Sequence, residues 1–193
     1  MSIILGQLFG QSGKTLYINL EGYSSVSELT GIEFEKDMSD ILYDMGNGSG
    51  NVAAIIGGTV NNFGTVSILP PMRSVKDLKS IAYTEWKSFL LKLEMGTDYQ
   101  YIILDISDNV ENPDSVIGLC EYLLVAVGTD KVAEKKVEQF LSDLKKEFDE
   151  DGRLQIIKYI IPRVDRVDSK MLRTPGNPIW DYAEKELIVN ING

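Results

Sequence analysis

The stretch Leu5-Gly6-Gln7-Leu8-Phe9-Gly10-Gln11-Ser12-Gly13-Lys14-Thr15-Leu16-Tyr17-Ile18-Asn19-Leu20-Glu21 decides the fold. Gly13-Lys14-Thr15 matches the last letters of a phosphate-binding loop, but the rest of that motif is missing. A glycine belongs five positions before the final one, so that successive backbone N–H groups wrap the phosphates, and that position is Leu8. The order of elements is also reversed. A phosphate loop follows a strand and opens a helix whose N-terminus faces the anion. Here Ile4, Leu5, Leu8 and Phe9 have the i, i+3, i+4 spacing of a helix, and Thr15 opens an apolar run. The segment therefore reads as helix, turn and strand, with Gly13 as a turn glycine that ends the helix.

Further runs of the same kind lie downstream. Leu16–Leu20, Val66–Leu69, Tyr101–Leu104, Leu123–Val127 and Ile156–Ile161 are short, continuous and apolar, and Pro162 stops the last. Continuous rather than alternating runs belong to parallel strands buried on both faces. Helical patterns separate them. Ile41, Leu42 and Met45 lie on one side of Met38–Met45, and Trp86, Phe89, Leu90 and Leu93 form a core-facing stripe. From Lys131 to Phe148, Val137, Phe140, Leu141, Leu144 and Phe148 point inward against an outer Lys/Glu face, with Thr129 or Asp130 as N-cap and Gly152 ending the helix. Alternating strands and helices predict a doubly wound, mostly parallel α/β sheet with helices on both faces. Gly46–Asn51 reads as a loop, Arg163–Asn177 as an irregular excursion, and Ile179–Leu187 as a final helix. No repeat or change of composition marks a boundary, so the expectation is one domain over residues 1–193.

Composition narrows the chemistry. The 193 residues are 44% hydrophobic and 25% charged, enough for a large core. Nineteen basic and twenty-nine acidic residues give a net charge of −10, which disfavours a nucleic-acid partner. There is no histidine, which removes imidazole bases, Ser-His-Asp triads and histidine-ligated metals. The lone Cys120, in an apolar context, reads as a buried structural thiol in a reducing compartment. No run approaches the ~20 residues of a membrane span, and Met1–Leu5 lacks a basic leader, so the expected location is cytoplasmic.

On these residues the chain resembles MinD/ParA-type P-loop ATPases, with the CpaE-like branch the nearest. Leu5–Glu21 resembles the family's first helix and the strand after it. Ser67-Ile68-Leu69-Pro70-Pro71 resembles the strand and double-proline turn that precede the helices before Walker B, and Tyr101-Ile102-Ile103-Leu104-Asp105 resembles the Walker B strand itself. The resemblance runs from about residue 3 to 187. It rests on order and spacing rather than on one motif.

The resemblance implies an ATP site made of four pieces. The Gly-rich loop would lie upstream of Ser2 and has no counterpart here. The family's acidic pair after the second strand corresponds to Asn19 and Glu21. Glu21 is able to orient a water, whereas Asn19 carries no charge. Asp105 matches the Walker B aspartate, which holds magnesium through bound water. The place where adenine is read is occupied by Pro162 and Arg163, without the usual asparagine. Without the family, Asp105 reads as the cap of the following turn, and Asp108 reads as a turn residue in either case. Glu21, Asp105 and Asp108 all lie at carboxyl ends of strands, where open α/β sheets bind ligands.

Two functions follow. The first is a nucleotide switch that dimerises around Mg-ATP and positions a protein partner such as pilus, secretion or polar-localisation machinery, and that is inactive in this form. The second is a nucleotide-independent docking protein on the same fold. For this chain no tight binding of Mg-ATP is expected. A small-molecule kinase built on Gly13-Lys14-Thr15 is disfavoured by the reversed element order. The resemblance also implies that the absent segment carries a central strand beside the Walker B strand. Its loss predicts low stability or a rearrangement that closes the gap, since each buried orphan backbone group costs about 1–3 kcal/mol.

Overall fold

A computed structural model describes residues 2–46, 51–107, 109–127, 131–148 and 155–160. The chain divides into two compact units, Met1–Pro113 and Asp114–Gly193. In the first, helix α1 (Ser2–Phe9) turns into strand β1 (Thr15–Leu20), the order expected from the apolar spacing. Short helices α2 (Val26–Thr30), α3 (Met38–Gly46) and α4 (Val52–Gly57) follow, then a hairpin of β2 (Asn61–Phe63) and β3 (Val66–Ile68). Helices α5 (Val75–Ser80) and α6 (Tyr83–Gly96) lead into β4 (Tyr101–Ile106).

The four strands form one sheet in the order β2-β3-β1-β4. β1 pairs in parallel with β3 and with β4, and the second register sets Tyr17 beside Ile103 and Asn19 beside Asp105. All six residues of β1 are buried, as befits a central strand. The short β2 is antiparallel to β3 and was not expected from the sequence. Its polar Asn61-Asn62 carries no apolar run, and the turn is made by Gly64 in the left-handed region (φ 60°). β4 has one strand partner among the described residues and lies at the sheet edge, with all six residues half-buried.

Helix α1 lies over the face of the sheet that carries Tyr17. Ile3, Tyr17, Val26, Phe63, Val66 and Ile68 form one buried cluster with Ile103 against it. Trp86, Phe89 and Leu93 of α6 are buried as the spacing predicts, while Leu90 is half-buried. Met38, Ile41 and Met45 form the buried side of α3. Side chains set the helix starts. Asn51 Oδ1 accepts from Ala53 N–H (3.0 Å), Ser74 Oγ from Asp77 N–H (3.2 Å), and Glu85 Oε2 from Ala82 N–H (2.8 Å).

In the second unit, helix α7 (Pro113–Ile117), which begins at the division, precedes β5 (Tyr122–Val127), helix α8 (Lys131–Phe148) and β6 (Gln155–Ile160). β5 and β6 are parallel, with Leu123 beside Ile156 and Val127 beside Ile160. α8 docks Leu141 and Val137 on Val125 and Leu123. Phe140, expected inward, is 38% exposed, because the buried side of the helix passes through Leu141 and Leu144, with Val137 partly buried beside them. Cys120 is half-buried rather than fully buried, and burial pushes its thiol up to about 11. The expected cap at Thr129 or Asp130, the end of α8 at Gly152, the excursion from Arg163 and the helix Ile179–Leu187 lie outside the described residues.

Candidate functional site

The two ends of β1 carry the residues in question. At its start, Gly13-Lys14-Thr15 forms the turn between α1 and β1. Gly10, Ser12 and Gly13 N–H donate to the carbonyls of Gly6, Phe9 and Phe9, which ends the helix. A Cβ on Gly10 would stand 2.3 Å from the Thr65 carbonyl oxygen, and one on Gly13 would meet the Gln100 side chain. Gly10 is needed for close packing on the Thr65 backbone, while at Gly13 it is first the end of a side chain that stands in the way. The Lys14 amine is exposed and paired with Asp98, which holds it above its ordinary value. Nothing here wraps an anion, and the turn lies at the amino end of the parallel strands, opposite the end where such sheets bind ligands.

At the carboxyl end, strand geometry brings the predicted residues together. Side chains alternate along a strand, so Tyr17 and Asn19 share a face, and the pairing sets Asn19 beside Asp105. Tyr17 Oη donates to Asp105 Oδ2 at 2.7 Å. Asn19 Nδ2 donates to Tyr17 Oη at 3.0 Å and to Glu21 Oε2 at 3.1 Å, while Glu21 N–H donates to Asn19 Oδ1 at 3.3 Å. Tyr17 and Asn19 are 1% and 2% exposed, and Glu21 and Asp105 are half-buried. Burial, then the negative charge of Asp105, holds the Tyr17 phenol well above its ordinary value, so it stays a proton donor. The loops beside the site are tied together. Ser107 Oγ donates to the Leu20 carbonyl (3.0 Å), and a Cβ on Gly22 would stand 2.8 Å from Asn109 Cγ.

Asn19, Glu21 and Asp105 are thus one cluster, while Asp108, Pro162 and Arg163 lie outside the described residues. The residue that sequence reasoning missed is Tyr17, absorbed into an apolar run. The signal was the alternation Thr15, Tyr17, Asn19, which puts every polar-capable side chain of the strand on one face. The arrangement fits magnesium-bound water on Asp105 poorly, since a phenol already takes Oδ2 and the neighbouring Asn19 carries no charge. Among the described residues no group of three or more His, Cys, Asp or Glu is placed to hold a metal ion.

The strand order, the parallel register and the helix before β1 define a P-loop-NTPase-like α/β fold of the ParA/MinD type. A plasmid partition protein from Borrelia burgdorferi is similar, at 17% identity and a TM-score of 0.67, covering 99% of this chain and 90% of that one. A second B. burgdorferi structure, a putative plasmid partition protein bound to AMPPNP, gives 18% identity, a TM-score of 0.59, and coverage of 91% and 76%. A chain of the MinC:MinD cell division protein complex of Aquifex aeolicus gives 15%, 0.59, and coverage of 89% and 64%. No family model and no curated protein sequence matches the chain. Among the described residues no helix is long and apolar enough to cross a membrane.

Proposed function

We propose that the chain is a single ParA/MinD-like domain that serves the localisation or assembly of a partner machine and does not turn over ATP by itself. One observation carries this reading. The Walker B-like Asp105 accepts a 2.7 Å hydrogen bond from the buried Tyr17, and Asn19 offers an amide where the resemblance calls for a carboxylate. The solved neighbours lend the general role, since they are partition and division proteins, one bound to AMPPNP and one from a MinC:MinD complex. The same hydrogen bond favours a second reading, a nucleotide-independent docking protein. A CpaE-like role at pilus or secretion machinery and a nucleotide-linked homodimer are the finer forms of the switch reading.

Thermal melting with Mg-ATP tests whether this domain holds nucleotide. A ligand that binds only the folded state at a hundredfold excess over Kd adds about 2.7 kcal/mol. For a chain of this size that is a rise in Tm of roughly 5–11 °C. The expected outcome is no shift. A clear rise that survives Lys14→Ala would overturn the docking reading and place nucleotide in this domain. A rise abolished by that change would revive phosphate binding at the Gly13-Lys14-Thr15 turn.

A further inference from the structure

Two carboxylates, Glu21 and Asp105, flank Asn19 at the carboxyl end of β1 and β4, and such pairs are commonly bridged by a cation. Here one oxygen of each carboxylate already has a donor in the protein, Glu21 Oε2 from Asn19 and Asp105 Oδ2 from Tyr17. The Asn19 amide has two N–H protons, one directed to Glu21 Oε2 and one to Tyr17 Oη. The Tyr17 hydroxyl accepts that proton and passes its own to Asp105 Oδ2. Asn19 Oδ1 takes the N–H of Glu21. The chain Glu21–Asn19–Tyr17–Asp105 therefore presents the positive ends of N–H and O–H dipoles to both carboxylates.

We infer that Tyr17 and Asn19 together replace a divalent cation, holding Glu21 and Asp105 in one hydrogen-bonded chain and closing this carboxylate pair to metal. The inference builds on the proposed function and names the residues responsible. Each is needed for a separate reason. A phenylalanine at position 17 would leave Asp105 Oδ2 and one Asn19 proton without their partner. An aspartate at position 19 would remove both N–H donors and bring a third carboxylate toward Glu21 and Asp105, a repulsion that a bound cation would relieve.

Binding of Mn²⁺ to the full chain tests this, read by the paramagnetic resonance of free Mn²⁺ and by thermal melts in EDTA or Mn²⁺. The wild-type chain and Asp105→Asn are expected to bind Mn²⁺ equally weakly. Asn19→Asp and the Tyr17→Phe/Asn19→Asp double variant should gain roughly ten- to hundredfold in affinity, and adding Asp105→Asn should remove the gain. Asn19→Asp should melt lower in EDTA and recover in Mn²⁺. If Asn19→Asp does not fold, Tyr17→Phe alone decides, since it should still gain Mn²⁺ binding that depends on Asp105. Wild-type binding that Asp105→Asn weakens about tenfold would overturn the inference, as would variants that gain nothing. ATP turnover by the wild-type chain without Mn²⁺ binding at Asp105 would sink the proposed function and leave this inference standing.

Discussion

The two ends of β1 make opposite use of similar-looking sequence. At the amino end, Gly13-Lys14-Thr15 spells the tail of a nucleotide-binding motif, yet its turn packs closely through Gly10 and its lysine points to solvent beside Asp98. At the carboxyl end, Tyr17, Asn19 and Glu21 spell no motif, yet they form a closed hydrogen-bonded chain with Asp105 across the strand pair. Only the second end lies where a parallel sheet presents side chains to a ligand. The letters of a motif carry chemistry only when strand direction puts them at the right end.

The strongest way to break this contrast is at Gly10. An added Cβ there meets the backbone oxygen of Thr65, whose hydroxyl is itself bound to the Gln7 carbonyl (2.7 Å), so little can yield. Gly10→Ala is expected to cost about 3 kcal/mol by overpacking, read as a lower denaturation midpoint at constant slope. Gly13→Ala should cost clearly less, because the atom in its way is the free end of the Gln100 side chain. Equal and negligible losses would mean that the turn is not packed as described.

This asymmetry shows what was legible in the sequence. The helix–turn–strand order followed from the 3.6-residue spacing of Ile4, Leu5, Leu8 and Phe9 set against the continuous apolar run Leu16–Leu20, because both patterns are local properties. The strands of the sheet were legible for the same reason, β2 excepted. Its register comes from a glycine turn and from pairing with β3, not from its own side chains. Of the candidate site, Asn19, Glu21 and Asp105 were singled out by position. Tyr17 was not, because a tyrosine inside an apolar run counts as core until a partner across the sheet is known. That partner sits 88 residues away in sequence.

A smaller effect is expected at Tyr17. Tyr17→Phe leaves one Asn19 proton without its acceptor in a buried site, which should cost about 2 kcal/mol at neutral pH. The same group predicts a pH dependence. Its folded pKa is raised above the ordinary value of 10.0, so the folded state keeps a proton that the unfolded chain releases. This contribution is fully present below pH 10 and is lost as pH rises beyond it, at a slope of up to about 1.4 kcal/mol per pH unit. Cys120, also raised, adds a loss of the same sign above its ordinary value of 9.0. Since Tyr17→Phe retains Cys120, the difference between the wild-type and variant melting curves from pH 9 to 11 isolates the phenol. Parallel curves over that range would show that Tyr17 is not held as a buried donor.

The smallest effect should come from the residue that most resembles a catalytic one. Lys14 and Asp98 have side chains 64% and 74% exposed. A pair so open to water gains little from its Coulomb attraction and gives up side-chain freedom to form. The raised pKa of Lys14 and the lowered pKa of Asp98 come first from their shared hydrogen bond, at the surface, so neither implies a useful contribution to folding. Lys14→Ala should therefore leave the melting temperature unchanged at physiological salt. It should also leave any response to inorganic phosphate or nucleotide as it was, because the Lys14 amine stands at the amino end of β1, away from Asp105. A drop in stability that salt abolishes would show that the pair matters electrostatically. A loss of phosphate binding would give the turn the role that its letters imitate, and the contrast between the two ends of β1 would have to be redrawn.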